Sequence, residues 1–154
     1  MTRAVANHGA SVLADGRVLV TGGNSTVGIY SEAGAVTNCQ VWDGATWTAT
    51  EPLPAPVAWH SQATLPDGAA LVAGGLDGQL GGNPGAGRHD GTVYTALTDL
   101  GLNPGLPAEV ADARGATTLT RAYDGTLLLL GGYNASFFLP GGDGHKGFVY
   151  TPEP

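Results

Sequence analysis

Apolar residues in this chain come in short, solid runs, without a helical rhythm. Val18-Leu19-Val20, Ala70-Leu71-Val72-Ala73 and Leu127-Leu128-Leu129-Leu130 each follow an Asp-Gly pair and run toward a Gly-Gly pair. An unbroken aliphatic run of this length between turn residues predicts a strand buried on both faces. A second short stretch precedes each Asp-Gly, over residues 8–13, 60–65 and 114–119. Asp-Gly between two β-forming stretches predicts a hairpin, because glycine takes φ > 0 without steric cost.

The landmarks keep a fixed spacing. Asp15-Gly16 precedes Gly22-Gly23, Asp67-Gly68 precedes Gly74-Gly75, and Asp124-Gly125 precedes Gly131-Gly132, with seven residues from Asp to the first doublet glycine each time. The copies begin 52 and 57 residues apart. Recurrence at this period is the mark of a repeat architecture. The doublets predict positive φ and a close backbone approach at the strand's end. Histidine opens the first two copies (His8, His60) and Arg114 the third, which gains a three-residue insertion containing Arg121 before its Asp-Gly.

A third strand is predicted after a long gap, at Gln40-Val41-Trp42, Thr92-Val93-Tyr94 and Phe148-Val149-Tyr150. Its aromatic falls 19, 19 and 18 residues past the doublet. The turn Asp43-Gly44-Ala45-Thr46 then leads into a fourth strand opening at Trp47, and residues 96–100 supply a weaker counterpart without the tryptophan. The expected unit is a four-stranded antiparallel meander, and the fold class is all-β. One repeat domain spans residues 1–154, with units at about 4–50, 55–100 and 110–154, the last lacking its final strand.

Composition narrows the partners. Gly (26) and Pro (10) make about a quarter of the 154 residues, and their placement around Val/Leu runs fits a turn-rich β protein. Six basic residues against 13 acids leave a net charge of −7, which repels a phosphate backbone and argues against a nucleic-acid partner. Cys39 is the only cysteine, so there is no intrachain disulfide and no cysteine cluster for zinc. Apolar runs are too short to span a bilayer as a helix, and no apolar leader precedes the first copy. If Met1 is the natural start, the expectation is a cytoplasmic protein.

Motifs for chemistry are absent: no Gly-x-Ser-x-Gly, no His-Glu-x-x-His and no carboxylate pair spaced for glycoside hydrolysis. Turn geometry accounts for Asp15, Asp67 and Asp124. Asn24-Ser25-Thr26 and Asn134-Ala135-Ser136 fit the glycosylation sequon and read as chance matches. No catalytic residue, metal site or cofactor is assigned.

Strand, Asp-Gly turn, aliphatic strand and Gly-Gly, followed by the aromatics Trp42, Tyr94 and Tyr150 and by Trp47, resemble the kelch repeat. The pattern in His60 to Gly75 is similar to the bacterial kelch-like repeats and to the central domain of galactose-oxidase-like proteins. The resemblance covers nearly the whole chain. It implies a β-propeller segment of about three four-stranded blades. Fewer than three full copies imply self-association, such as two chains completing a six-bladed ring, or the remainder of a longer chain.

In a kelch-type blade the long connections between second and third strands share one face, here residues 24–38, 76–91 and 133–147. They gather Asn24, Tyr30, Arg88, His89, Tyr133, Asn134, Phe137, Phe138, His145 and Lys146. Loops of this length in a compact repeat are commonly functional. Phe137-Phe138 read either as an exposed anchor or as a plug on their own blade, and Arg88-His89 as an anion contact or a solvated tip.

His8 and His60 read as structural histidines tying neighbouring blades together. In galactose-oxidase-like enzymes a Tyr-His at a comparable strand start contributes to a copper site, whereas here Asn7 and Trp59 precede the histidines. The expected role is a non-catalytic binding module for a protein or glycan. The alternatives are a fragment of a copper radical oxidase and a purely structural repeat.

Overall fold

The computed structural model describes residues 1–25, 34–76, 86–96, 115–133 and 147–150. Among them there is no helix. Eleven strands form three antiparallel sheets.

The first sheet is a meander of β1 (Gly9–Val12), β2 (Val18–Thr21), β3 (Cys39–Trp42) and β4 (Trp47–Thr50). The second repeats it with β5 (Ser61–Thr64), β6 (Ala70–Ala73), β7 (Ala86–His89) and β8 (Tyr94–Ala96). The third holds β9 (Gly115–Arg121), β10 (Leu127–Tyr133) and β11 (Gly147–Tyr150), with β10 central.

The Asp-Gly landmarks fold alike in all three sheets. The residue two before each Asp accepts from the glycine N–H: Leu13 from Gly16 (3.0 Å), Leu65 from Gly68 (2.9 Å) and Ala122 from Gly125 (3.1 Å). The glycines hold φ of 84°, 83° and 87°. This is a tight turn closed by a left-handed residue, the common three-residue hairpin loop. Each Asp carboxylate also accepts from the backbone N–H two residues on, at Arg17 (3.1 Å), Ala69 (3.0 Å) and Thr126 (3.0 Å).

Register corrects the alignment of the third copy. Arg121 pairs with Leu127 as Val12 pairs with Val18 and Thr64 with Ala70. There is therefore no insertion: Ala122 stands where Leu13 and Leu65 stand, and Thr117, not Arg114, occupies the histidine position. Arg114 lies outside the described residues. The glycine doublets also diverge. Gly22 and Gly23 (φ 57° and 94°) and Gly74 and Gly75 (70° and 100°) leave the strand, whereas Gly131 and Gly132 run inside β10.

The third strand of the second sheet is corrected as well. Trp42 pairs with Trp47, and the matching pair is His89 with Tyr94. The turn before Tyr94 is Asp90-Gly91-Thr92-Val93. The Asp90 carboxylate accepts from Thr92 and Val93 N–H (2.8 and 2.9 Å), as Asp43 does from Ala45 and Thr46 (2.9 and 2.7 Å). Tyr94 therefore opens the fourth strand, in Trp47's place, and residues 97–100 lie outside the described residues. The matching interval of 19 residues arose because a shorter connection offset the added turn.

The sheets lie side by side, β1 against β5 and β5 against β9. Between the first two sit Leu13, Leu19, Cys39, Val41, Leu53, Val57, Ala70 and Val72; Leu65, Ala69, Leu71 and Leu127, with Ala63 and Leu119, fill the second junction. Cross-strand register puts Val12, Val18, Trp42 and Trp47 on one face of the first sheet and Leu19, Val41 and Thr21 on the other. In each junction the Val12-type face of the later sheet packs on the Leu19-type face of the earlier one.

Candidate functional site

The residues ahead of β1 and β5 are set by a repeated local strain. Asn7 and Trp59, each just before a histidine, hold φ of 54° and 53°. Left-handed backbone is common for Asn and costly for a ring as bulky as Trp. The two are joined directly, since Trp59 N–H donates to the Asn7 carbonyl at 2.9 Å. Trp59 is half-buried.

Close backbone approach at the doublets holds this end together. Gly23 N–H donates to Val57 O (2.8 Å), and bridges join Ala6 to Asn24 and Ala58 to Leu76. A Cβ on Gly22 would strike Val57 O, and one on Gly75 would strike the Val57 side chain. Only glycine fits either position.

His60 is the polar centre of the junction. It is buried, and its Nε2 accepts from Gly9 N–H at 3.1 Å. The Thr21 hydroxyl lies 2.8 Å from the same nitrogen and donates to Gln62 Oε1 at 2.6 Å. Gln62 Nε2 donates in turn to Ser11 Oγ at 2.7 Å. An Nε2 that accepts a backbone N–H leaves the imidazole proton on Nδ1, which has no partner among the described residues. Burial pushes the His60 pKa down to about 4, helped by nearby His8. A neutral ring that meets Gly9 and Thr21 of the first sheet acts as a tie between sheets. His8 is exposed, with Nδ1 3.2 Å from Val5 O.

His89 is corrected from loop to core. It lies in β7, fully buried; Gly91 N–H donates to its Nδ1 (3.0 Å) and its Nε2–H to Glu51 O (2.9 Å). Burial lowers its pKa, opposed by the Glu51 carbonyl. Nε2 joins β7 to the end of the first sheet and Nδ1 braces the turn that follows β7, so both ring nitrogens are engaged within the fold. Arg88 lies beside it in β7, not at a loop tip. Asn24 is buried and bridged to Ala6 and Ala35, so it too is no exposed loop contact. Tyr133 closes β10 opposite Gly115. Tyr30, Phe137, Phe138, His145 and Lys146 lie outside the described residues.

Cys39 is buried, and desolvation raises its thiol to about 12, so at neutral pH it is neither nucleophile nor thiolate ligand. Among the described residues no three His, Cys, Asp or Glu side chains come together as a metal site, and no helix is long and apolar enough to cross a membrane.

Sequence reading missed Trp59. Its signal was present, since a residue before each histidine must reverse the chain into the first strand, but left-handed Trp has no compositional mark. No protein-family model matches the chain, and no curated protein matches it by sequence.

Proposed function

We propose that the three sheets are successive blades of a kelch-type β-propeller segment, and that the chain is a non-catalytic binding module for a glycan or protein. Support for the blade reading comes from the ordered contact of β1, β5 and β9 and from the repeated carboxylate-capped turns. The observation that carries the binding role is the left-handed Trp59 beside Asn7. A conformation costing roughly 1–2 kcal/mol persists where the surrounding structure over-determines it, and such strain clusters at ligand-contact sites. Trp59 sits at the sheet end from which the long connections depart, and, being only partly buried, it offers an apolar side chain to a sugar ring or an aromatic group.

The test is a panel of immobilised glycans and extended peptides probed with the wild-type chain, Trp59→Ala and Phe137→Ala/Phe138→Ala. The expected result is binding to a defined subset of the panel, lost in Trp59→Ala with the far-UV CD spectrum unchanged. Equal retention by Trp59→Ala and wild type overturns the role given to Trp59. Absence of binding across the panel overturns the module reading.

A further inference from the structure

We propose that Asp43 is a site of spontaneous isoaspartate formation in the folded chain, set apart from the other Asp-Gly pairs by the free amide of Gly44. Five such pairs lie among the described residues, with Asp at positions 15, 43, 67, 90 and 124. Glycine obstructs the reaction least, because no Cβ stands beside the attacking nitrogen.

Most of what could separate the five pairs is common to them. Each carboxylate accepts from the backbone N–H two residues on, at Arg17 (3.1 Å), Ala45 (2.9 Å), Ala69 (3.0 Å), Thr92 (2.8 Å) and Thr126 (3.0 Å). Each glycine is left-handed, with φ of 84°, 99°, 83°, 90° and 87° in chain order. The glycine amides differ. Gly16, Gly68 and Gly125 donate to the carbonyls of Leu13, Leu65 and Ala122 at 3.0, 2.9 and 3.1 Å. Gly91 donates to His89 Nδ1 at 3.0 Å. The Gly44 N–H has no partner among the described residues.

The cause is the residue that closes the third strand. Asp43-Gly44 and Asp90-Gly91 make equivalent turns, one after Trp42 and the other after His89. His89 supplies a ring nitrogen that accepts, whereas an indole only donates. The first sheet meets Gly91 at its carbonyl, through Thr50 Oγ1 at 2.8 Å, and not at its N–H. The contrast between the two glycines therefore lies within each sheet.

The reaction needs nothing but water. The Gly44 nitrogen attacks the Asp43 side-chain carboxyl carbon; a C–N bond forms, a C–O bond breaks, and one water leaves with the amide proton and a second proton from solvent. The resulting five-membered succinimide takes one water back. Addition at the side-chain carbonyl restores Asp. Addition at the main-chain carbonyl breaks that carbon's bond to nitrogen and leaves isoaspartate, with no change of oxidation state. An amide proton held in a hydrogen bond is given up only when that bond opens, which slows attack at the other four pairs. Isoaspartate adds one main-chain atom to the turn joining Trp42 to Trp47, and turn length is what fixes hairpin register.

The test incubates the whole wild-type chain at neutral pH, in buffer and in concentrated urea, and maps isoaspartate by electron-transfer fragmentation of its chymotryptic peptides. In buffer, Asp43 should convert at least about fivefold faster than Asp15, Asp67, Asp90 or Asp124, the scale set by opening one hydrogen bond. In urea the advantage should vanish, because unfolding frees every glycine amide. Hydrogen exchange in buffer should likewise find Gly44 the fastest of the five glycine amides. Conversion at Asp43 no faster than at the other four, its absence in buffer, or the same ranking in urea overturns the proposal, as does a protected Gly44 amide.

Discussion

The second strand ends one way in the first two sheets and another in the third, although Gly-Gly occupies the same sequence position. In the first two, left-handed glycines release the chain and let residues 57 and 58 or residue 6 approach the backbone. In the third, the doublet stays in register, with Gly131 opposite Thr117. Identical letters thus take different conformations, and at the first two doublets residues 5–8 and 57–60 pack against the glycines. The two histidines teach the same lesson: His60 is buried because the first sheet stands before it, while no described sheet stands before His8.

The sharpest way to break the contrast is to add a methyl group to each kind of glycine. Gly75→Ala places a Cβ against the Val57 side chain, Ala58 O (2.8 Å) and His60 Cβ (2.8 Å), at φ 100°. Strain and overlap together should cost about 3 kcal/mol or more. Gly131→Ala, inside a strand, should change stability by about 1 kcal/mol or less, with a gain permitted by the lost backbone freedom of the unfolded chain. Urea titration of both variants reads the difference, and equal losses would mean that the doublets are equivalent after all.

Acid should expose the histidine contrast next. His60 is neutral in the fold down to about pH 4, whereas the unfolded chain takes up the proton near 6.5. The unfolded state binds more protons in between, so this contribution is whole above pH 6.5, falls as the pH drops toward 4, and levels below it. The loss should reach roughly 3 kcal/mol at its limit. The His60→Gln variant should lack that slope between pH 6.5 and 4, and His8→Gln should keep it. Matching slopes for wild type and His60→Gln would show that His60 is not the titrating group.

A smaller effect separates the polar from the apolar side of the first junction. Thr64 Oγ1 donates to Val12 O at 2.8 Å, and removing it in Thr64→Val should cost about 1 kcal/mol. No stability change would mean that apolar packing alone sets the junction.

Much of the fold was legible because Asp-Gly turns and solid aliphatic runs are local signals: a side-chain carboxylate and a permissive glycine set each turn without help from elsewhere. Register was less legible. Leu119 drew the third copy three residues out of line because it resembles Leu13 and Leu65, and only pairing with β10 shows that Ala122 holds their place. His89 looked like a loop residue because glycines precede it, yet β6 and β8 recruit it into a strand. Asn24 and His89, expected on loops, are buried instead, while Trp59 carried no compositional mark of its strained backbone.

That strain supplies the subtlest test. Replacing Trp59 with Asn, the residue that holds the same conformation at position 7, removes a bulky ring from φ 53° and keeps the backbone path. Asn tolerates the left-handed region far better than Trp, so relief of strain works against loss of the half-buried indole's packing. The net change in stability should be within about 1 kcal/mol, measured by thermal unfolding. If Trp59 is retained for contact, the same substitution abolishes ligand capture while leaving the fold as stable as before. A loss of several kcal/mol would show that the indole is held for packing, and the strain would then mark a structural post and not a binding surface.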